Sequence, residues 1–88
     1  VATWPQGEAG WTVVLASERS RSRAAAKARR FSNAGTSGVG ILDSDDFASL
    51  AGGYWVVYAG RYGGRRAAED ALQGVDAPDA YVRQVTPR

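Results

Sequence analysis

The sequence predicts an α+β chain with the ferredoxin-like order β-α-β-β-α-β: a four-stranded antiparallel sheet with two helices on one face. Three observations predict it. First, Trp11-Thr12-Val13-Val14-Leu15-Ala16 and Trp55-Val56-Val57-Tyr58-Ala59-Gly60 read as two copies of one apolar run about 44 residues apart. Second, each run is followed by a polar turn and then an Ala-rich segment, at Arg23-Ala24-Ala25 and at Arg66-Ala67-Ala68, so each half reads as strand then helix. Third, 88 residues suffice for one small domain and not for two. The domain is expected to span 11–88, with 1–10 as an N-terminal arm or the end of a linker.

Each element has its own signals. Residues Val1 to Gly10 show no periodicity, and Trp4 within them is expected to pack back on the domain. Trp11 to Ala16 is the first strand. Alternation puts Trp11, Val13 and Leu15 on the inward face and Thr12, Val14 and Ala16 on the other. Ser20 and Ser22 are candidate N-caps for a helix that runs to about Asn33. Ala24, Ala28 and Phe31 form its buried stripe, and Asn33-Ala34-Gly35 its C-cap. Val39 to Leu42 is a short second strand. Asp43-Ser44-Asp45-Asp46 begins a turn, in which Ser44 caps one helical turn reaching Leu50. Tyr54 to Gly60 is the third strand, with Trp55, Val57 and Ala59 inward and Tyr54, Val56 and Tyr58 outward. Arg65 to about Gly74 is the second helix, with Ala68, Ala71, Leu72 and Val75 inward, and Ala80 to Val85 is the last strand. Right-handed crossovers place the first and third strands in the centre.

Composition narrows the chemistry. The chain has no Cys and no His, which removes disulfides, thiolate nucleophiles, the usual general base and the commonest metal ligand. No cofactor and no metal are expected. The net charge of +2 with a pI near 9.4 falls short of a nucleic-acid footprint. No signal peptide or membrane span is read, and a start at Val1 suggests a piece of a longer protein.

The outward sheet face carries the functional expectation. Thr12, Val14, Tyr54, Val56 and Tyr58, joined by Tyr81 and Arg83 if Val82 points inward, would form a shallow aromatic, aliphatic and cationic surface with no helix over it. Such surfaces mark binding sites or oligomer interfaces. Asp43, Asp45 and Asp46 lack the glycine and distal glutamate of a calcium loop and are read as Asx turns and a helix start. The run Arg19, Arg21, Arg23, Lys27, Arg29 and Arg30 is read mainly as a solvated helix face, with an anionic polymer as the competing reading.

These residues resemble the SPOR domain family over roughly Trp11 to Val85. The family carries two degenerate repeats: an aromatic followed by Val-Gln-aliphatic-Gly-Ser-Phe, and one like Tyr-Arg-Val-x-Val-Gly-Pro-Phe. Trp11 to Ser17 lies on the first and Trp55 to Tyr62 on the second, with Ala24 and Ala68 at the helix alanines. Gly60 and Tyr62 match. Val14 stands at the family's Gln, Ala16 at its first Gly, Glu18 at its Phe, Val56 at its Arg and Arg61 at its Pro. The resemblance implies a non-enzymatic bacterial envelope module. Such a module binds peptidoglycan glycan strands, denuded ones above all, on the open sheet face and targets a parent protein to the cell wall or septum. Carried over by position, the glycan-binding residues are Thr12, Val14, Ser17, Val56, Tyr58 and Arg61; Tyr81 and Arg83 are added from strand parity. The parent is expected to be membrane-anchored or secreted, and the location extracytoplasmic.

Three other readings compete. A protein-interaction or dimerisation domain would bury Val14, Val56 and Tyr58 against a partner, a homodimer through the open face included. An RNA-binding module has the same element order, but no RNP1 pattern is present and no nucleic acid is expected. A small acylphosphatase-like enzyme lacks its glycine-rich anion loop here.

Overall fold

A computed structural model describes residues 2–88. Its elements are β1 (Ala2–Thr3), β2 (Gly10–Glu18), α1 (Arg21–Asn33), β3 (Val39–Asp43), a 3-10 turn (Ser44–Asp46), β4 (Trp55–Tyr62), α2 (Arg65–Gln73) and β5 (Tyr81–Val85). They build a two-layer α+β domain, as expected. The sheet order is β1-β3-β4-β2-β5, so the strands of the two apolar runs, β2 and β4, are central neighbours.

The expected sheet of four antiparallel strands is corrected to a mixed sheet of five. β3–β4, β4–β2 and β2–β5 are antiparallel, but β1 pairs parallel with β3, Ala2 opposite Gly40 and Thr3 opposite Ile41. A two-residue strand has no alternation to read, and the adjoining indole anchors it: Trp4 is 6 % exposed. Residues 2–4 thus pack on the sheet through β1 and the Trp4 indole. Val1 lies outside the described residues.

The helix-side core is built from Val13, Leu15, Val39, Ile41, Val57 and Ala59 under Ala24 and Ala28. Strand parity is as expected, with one exception. Ala16 packs on the helix side, because Leu15 is an extra residue between the pairs Val14–Tyr58 and Ala16–Val57. A bulge of this kind resets alternation. β4 is irregular too: Trp11 opposes Tyr62 and Val13 opposes Ala59. The extra β4 residue sits beside Gly60, whose φ of +76° favours glycine.

α1 begins at Ser20, whose hydroxyl accepts from the Arg23 amide. It ends in a Schellman motif: Thr36 N–H donates to the Phe31 carbonyl and Gly35 N–H to the Ser32 carbonyl, with Gly35 at φ +103°. α2 starts at Gly64 without a side-chain cap and buries Ala68. The arginine that opens each helix lies over the tryptophan near the start of the other half's strand. Arg21 is 5.6 Å from the Trp55 ring centroid and Arg65 is 5.9 Å from that of Trp11.

The other sheet face is not open. A second core covers much of it, formed by Val14, Leu42, Val56, Tyr58 and Val85 with Trp4 and Phe47. Trp4 stands edge-on to Tyr58 at 5.2 Å and to Phe47 at 6.3 Å, and its Nε1 donates to the Glu8 carbonyl at 2.9 Å. Two apolar strand faces require two cores. The chain supplies the second cover itself, from the residues after β1 and from the turn after β3.

Candidate functional site

The structure divides the eight sequence-predicted site residues into two groups. Thr12 is fully buried, and its Oγ1 donates to the Gly60 carbonyl at 2.6 Å, fastening β2 to the irregular stretch of β4. Val14, Val56 and Tyr58 belong to the second core, so the expectation that they lie on an open surface is corrected. Tyr58 also packs tightly over β3. A Cβ on Gly40 would approach the Ala2 carbonyl to 2.6 Å and meet the Tyr58 hydroxyl. Burial raises the Tyr58 phenol pKa above its ordinary value, and the nearby Arg61 charge partly offsets this.

Ser17, Arg61, Tyr81 and Arg83 are exposed. Ser17 and Arg83 meet at a groove of about 350 Å³, whose other walls are Leu50, Ala51, Tyr54 and the edge of Val56. Tyr81, half exposed, shares a face of β5 with Arg83: Tyr81 opposes Val14 and Arg83 opposes Thr12. Arg61 lies toward the far end of β4 and does not line the groove.

The groove exists because the segment after β3 is tied down. Ser44 and Tyr54 exchange two bonds: Ser44 N–H donates to the Tyr54 carbonyl, and Tyr54 N–H donates to Ser44 Oγ, each at 2.9 Å. Asp43 accepts from the Asp45 amide and Asp45 from the Gly53 amide, so two carboxylates of the acidic cluster shape turns. Ser49 Oγ donates to the Gln84 carbonyl and accepts from Thr86 N–H, while the Arg83 guanidinium donates to the Ser49 carbonyl. Phe47 pairs with Pro87 across the face. These bonds hold residues 44–51 as a wall along β5 and leave an opening between that wall and the end of β2.

Sequence reasoning misses part of this site. The basic run places Arg19 with the helix face, yet its guanidinium lies 5.2 Å from the Tyr54 ring centroid and 3.4 Å from its hydroxyl. Leu50 and Ala51 sit in a segment with no periodicity, and only the isolated apolar pair Phe47 and Leu50 in a polar turn hints at burial. The groove offers hydroxyls, guanidinium donors and a short apolar floor, and none of its lining residues is acidic. That set suits a hydroxyl-rich ligand with carbonyl or carboxylate acceptors.

The SPOR domain family model matches residues 7–84 of the 88. No curated protein and no solved structure matches the chain.

Proposed function

Because this chain belongs to the SPOR domain family, which is known for peptidoglycan binding in cell-envelope proteins, we propose that it binds denuded peptidoglycan glycan strands at the Ser17–Tyr54–Arg83 groove. The observation that carries this reading is the groove itself. It is the part of the sheet face that Trp4 and Phe47 leave uncovered, and its lining is polar on an apolar floor. Sugar rings present apolar faces with hydroxyls and N-acetyl carbonyls at their edges. Leu50 and Val56 supply the floor, while Ser17, Tyr54 and the Arg83 fork supply the edge contacts. Arg19 and Tyr81 flank it. In this reading the module is non-enzymatic and extracytoplasmic, and it delivers a membrane-anchored or secreted parent to the wall or septum. No described helix is long and apolar enough to cross a membrane.

The competing readings lose surface. Tyr58 is in the core and Tyr54 lies under Arg19, so RNA would find no pair of exposed aromatics on the central strands. A homodimer through the sheet face would have to use what remains there, and Tyr81 is the one large exposed hydrophobic among the described residues.

The test is retention on purified sacculi before and after amidase stripping. The expected result is selective retention on stripped glycan that falls about tenfold in Arg83→Ala, the scale of one charge-assisted hydrogen bond. No retention on either material would refute the reading.

A further inference from the structure

The opposite side of the molecule carries a second, unassigned surface. α1 has five basic residues, Arg21, Arg23, Lys27, Arg29 and Arg30, and no acidic one. Cations in a first turn oppose the helix macrodipole, and carboxylates are preferred there. Neither first-turn arginine meets a carboxylate: Arg21 stacks on Trp55, and Arg23 has no ion-pair partner among the described residues. Lys27 pairs with Glu18 at 2.8 Å, and Arg23, Arg29 and Arg30 have no ion-pair partner among the described residues. Local rules of this kind are broken chiefly at functional or strained sites.

Arg23, Lys27 and Arg30 fall at i, i+4 and i+7, a single stripe in which successive charges are about one 5.4 Å helical turn apart. Lys27 and Arg30 also line a groove of about 380 Å³ whose floor is Leu15, Ala16 and Phe31, and Asp76 bounds its far side. From this we infer that the α1 face is a docking surface for a linear anionic polymer whose phosphodiester groups are joined by short, non-aromatic spacers.

The chemistry of the face selects that occupant. Arginine forks hold phosphate oxygens bidentately. Single-stranded nucleic acid calls for stacking platforms, and the exposed Tyr81 lies on the other face of the sheet. A lipid surface calls for apolar side chains that insert, whereas the outward arc of α1 offers only Ser22, Ala26 and Asn33 between its cations. A flexible polyol-phosphate chain needs neither. It needs a row of cations at one-turn spacing and a groove shallow enough for a small spacer.

The experiment is titration of the 88-residue chain with glycerol-phosphate oligomers at increasing salt, beside the double variant Arg23→Glu, Arg30→Glu. Both positions are exposed, so circular dichroism and melting should match the parent. The expected result is salt-dependent binding that weakens about tenfold or more in the variant, with a salt slope smaller by about two. Retention of the variant on stripped sacculi should be unchanged, which separates this surface from the glycan groove. Absence of binding, equal binding by the variant, or equally tight binding to oligothymidylate or to anionic phospholipid vesicles would overturn the inference.

Discussion

At Thr12 a polar residue sits in the middle of an apolar strand and is fully buried, and its hydroxyl explains why. It donates to the Gly60 carbonyl where the pairing of β2 with β4 is irregular. Thr12→Val keeps the shape and removes that bond. It is expected to cost about 1–2 kcal/mol in urea denaturation, without changing glycan retention. Gly40→Ala is expected to cost about 1–3 kcal/mol, because the added methyl meets the Tyr58 hydroxyl and the Ala2 carbonyl. Tyr58 carries a pH signature as well. Its folded pKa is raised by burial, so its contribution is fully present below the ordinary phenol pKa of about 10 and is lost as pH rises through the folded value. Alkaline denaturation monitored by circular dichroism is expected to be less steep above about pH 10 in Tyr58→Phe. Parity is legible in the sequence at Tyr58, since it faces away from the helices as alternation requires. Its burial is not, because the rings that cover it belong to Trp4 and Phe47, isolated aromatics in segments without a period.

Among the elements, the two strand–helix units are legible because period-2 and period-3.6 patterns run long enough to distinguish. The limits of α1 are readable from Ser20 and from the Asn33-Ala34-Gly35 stop. β1 is not, since two residues carry no pattern and its existence depends on a partner edge, β3, and on a buried indole. The sequence of segment 44–51 suggests a helical turn reaching Leu50. Asp43 instead caps a turn that ends at Asp46, and the chain then leaves it extended so that Phe47 can enter the second core. Trp4→Ala tests this dependence. Truncating a buried aromatic costs on the order of 3 kcal/mol, and hydrogen exchange at Ile41 should accelerate as β1 leaves the β3 edge. Unchanged exchange would show that β1 holds without its indole.

For the molecule as a whole, the sheet separates two chemistries. One face carries α1 and α2, with unpaired cations along α1; the other carries a core cover and a polar groove. Charge reversal on α1 and truncation of Arg83 are therefore expected to act independently: a variant combining them should lose retention on stripped sacculi only as far as Arg83→Ala does, and glycerol-phosphate binding only as far as the charge-reversal variant does. The alternation of the strands indicates which face turns away from the helices, but not that the chain itself would occupy most of it. Fewer of the predicted contact residues are consequently available: Ser17, Arg83 and an edge of Val56 line the groove, Val14 and Tyr58 lie in the second core, Thr12 ties β2 to β4, and Arg61 lies away from the groove.

The three tryptophans give the molecule a built-in optical probe. Trp4 is shut away from water between Tyr58 and Phe47, whereas Trp11 and Trp55 are only partly buried and lie beneath guanidinium groups. A dry indole emits toward the blue. In a variant with Trp11 and Trp55 replaced by Phe, the remaining emission would report only whether residues 2–4 are seated on the sheet, and a red shift would mark their departure without any added dye.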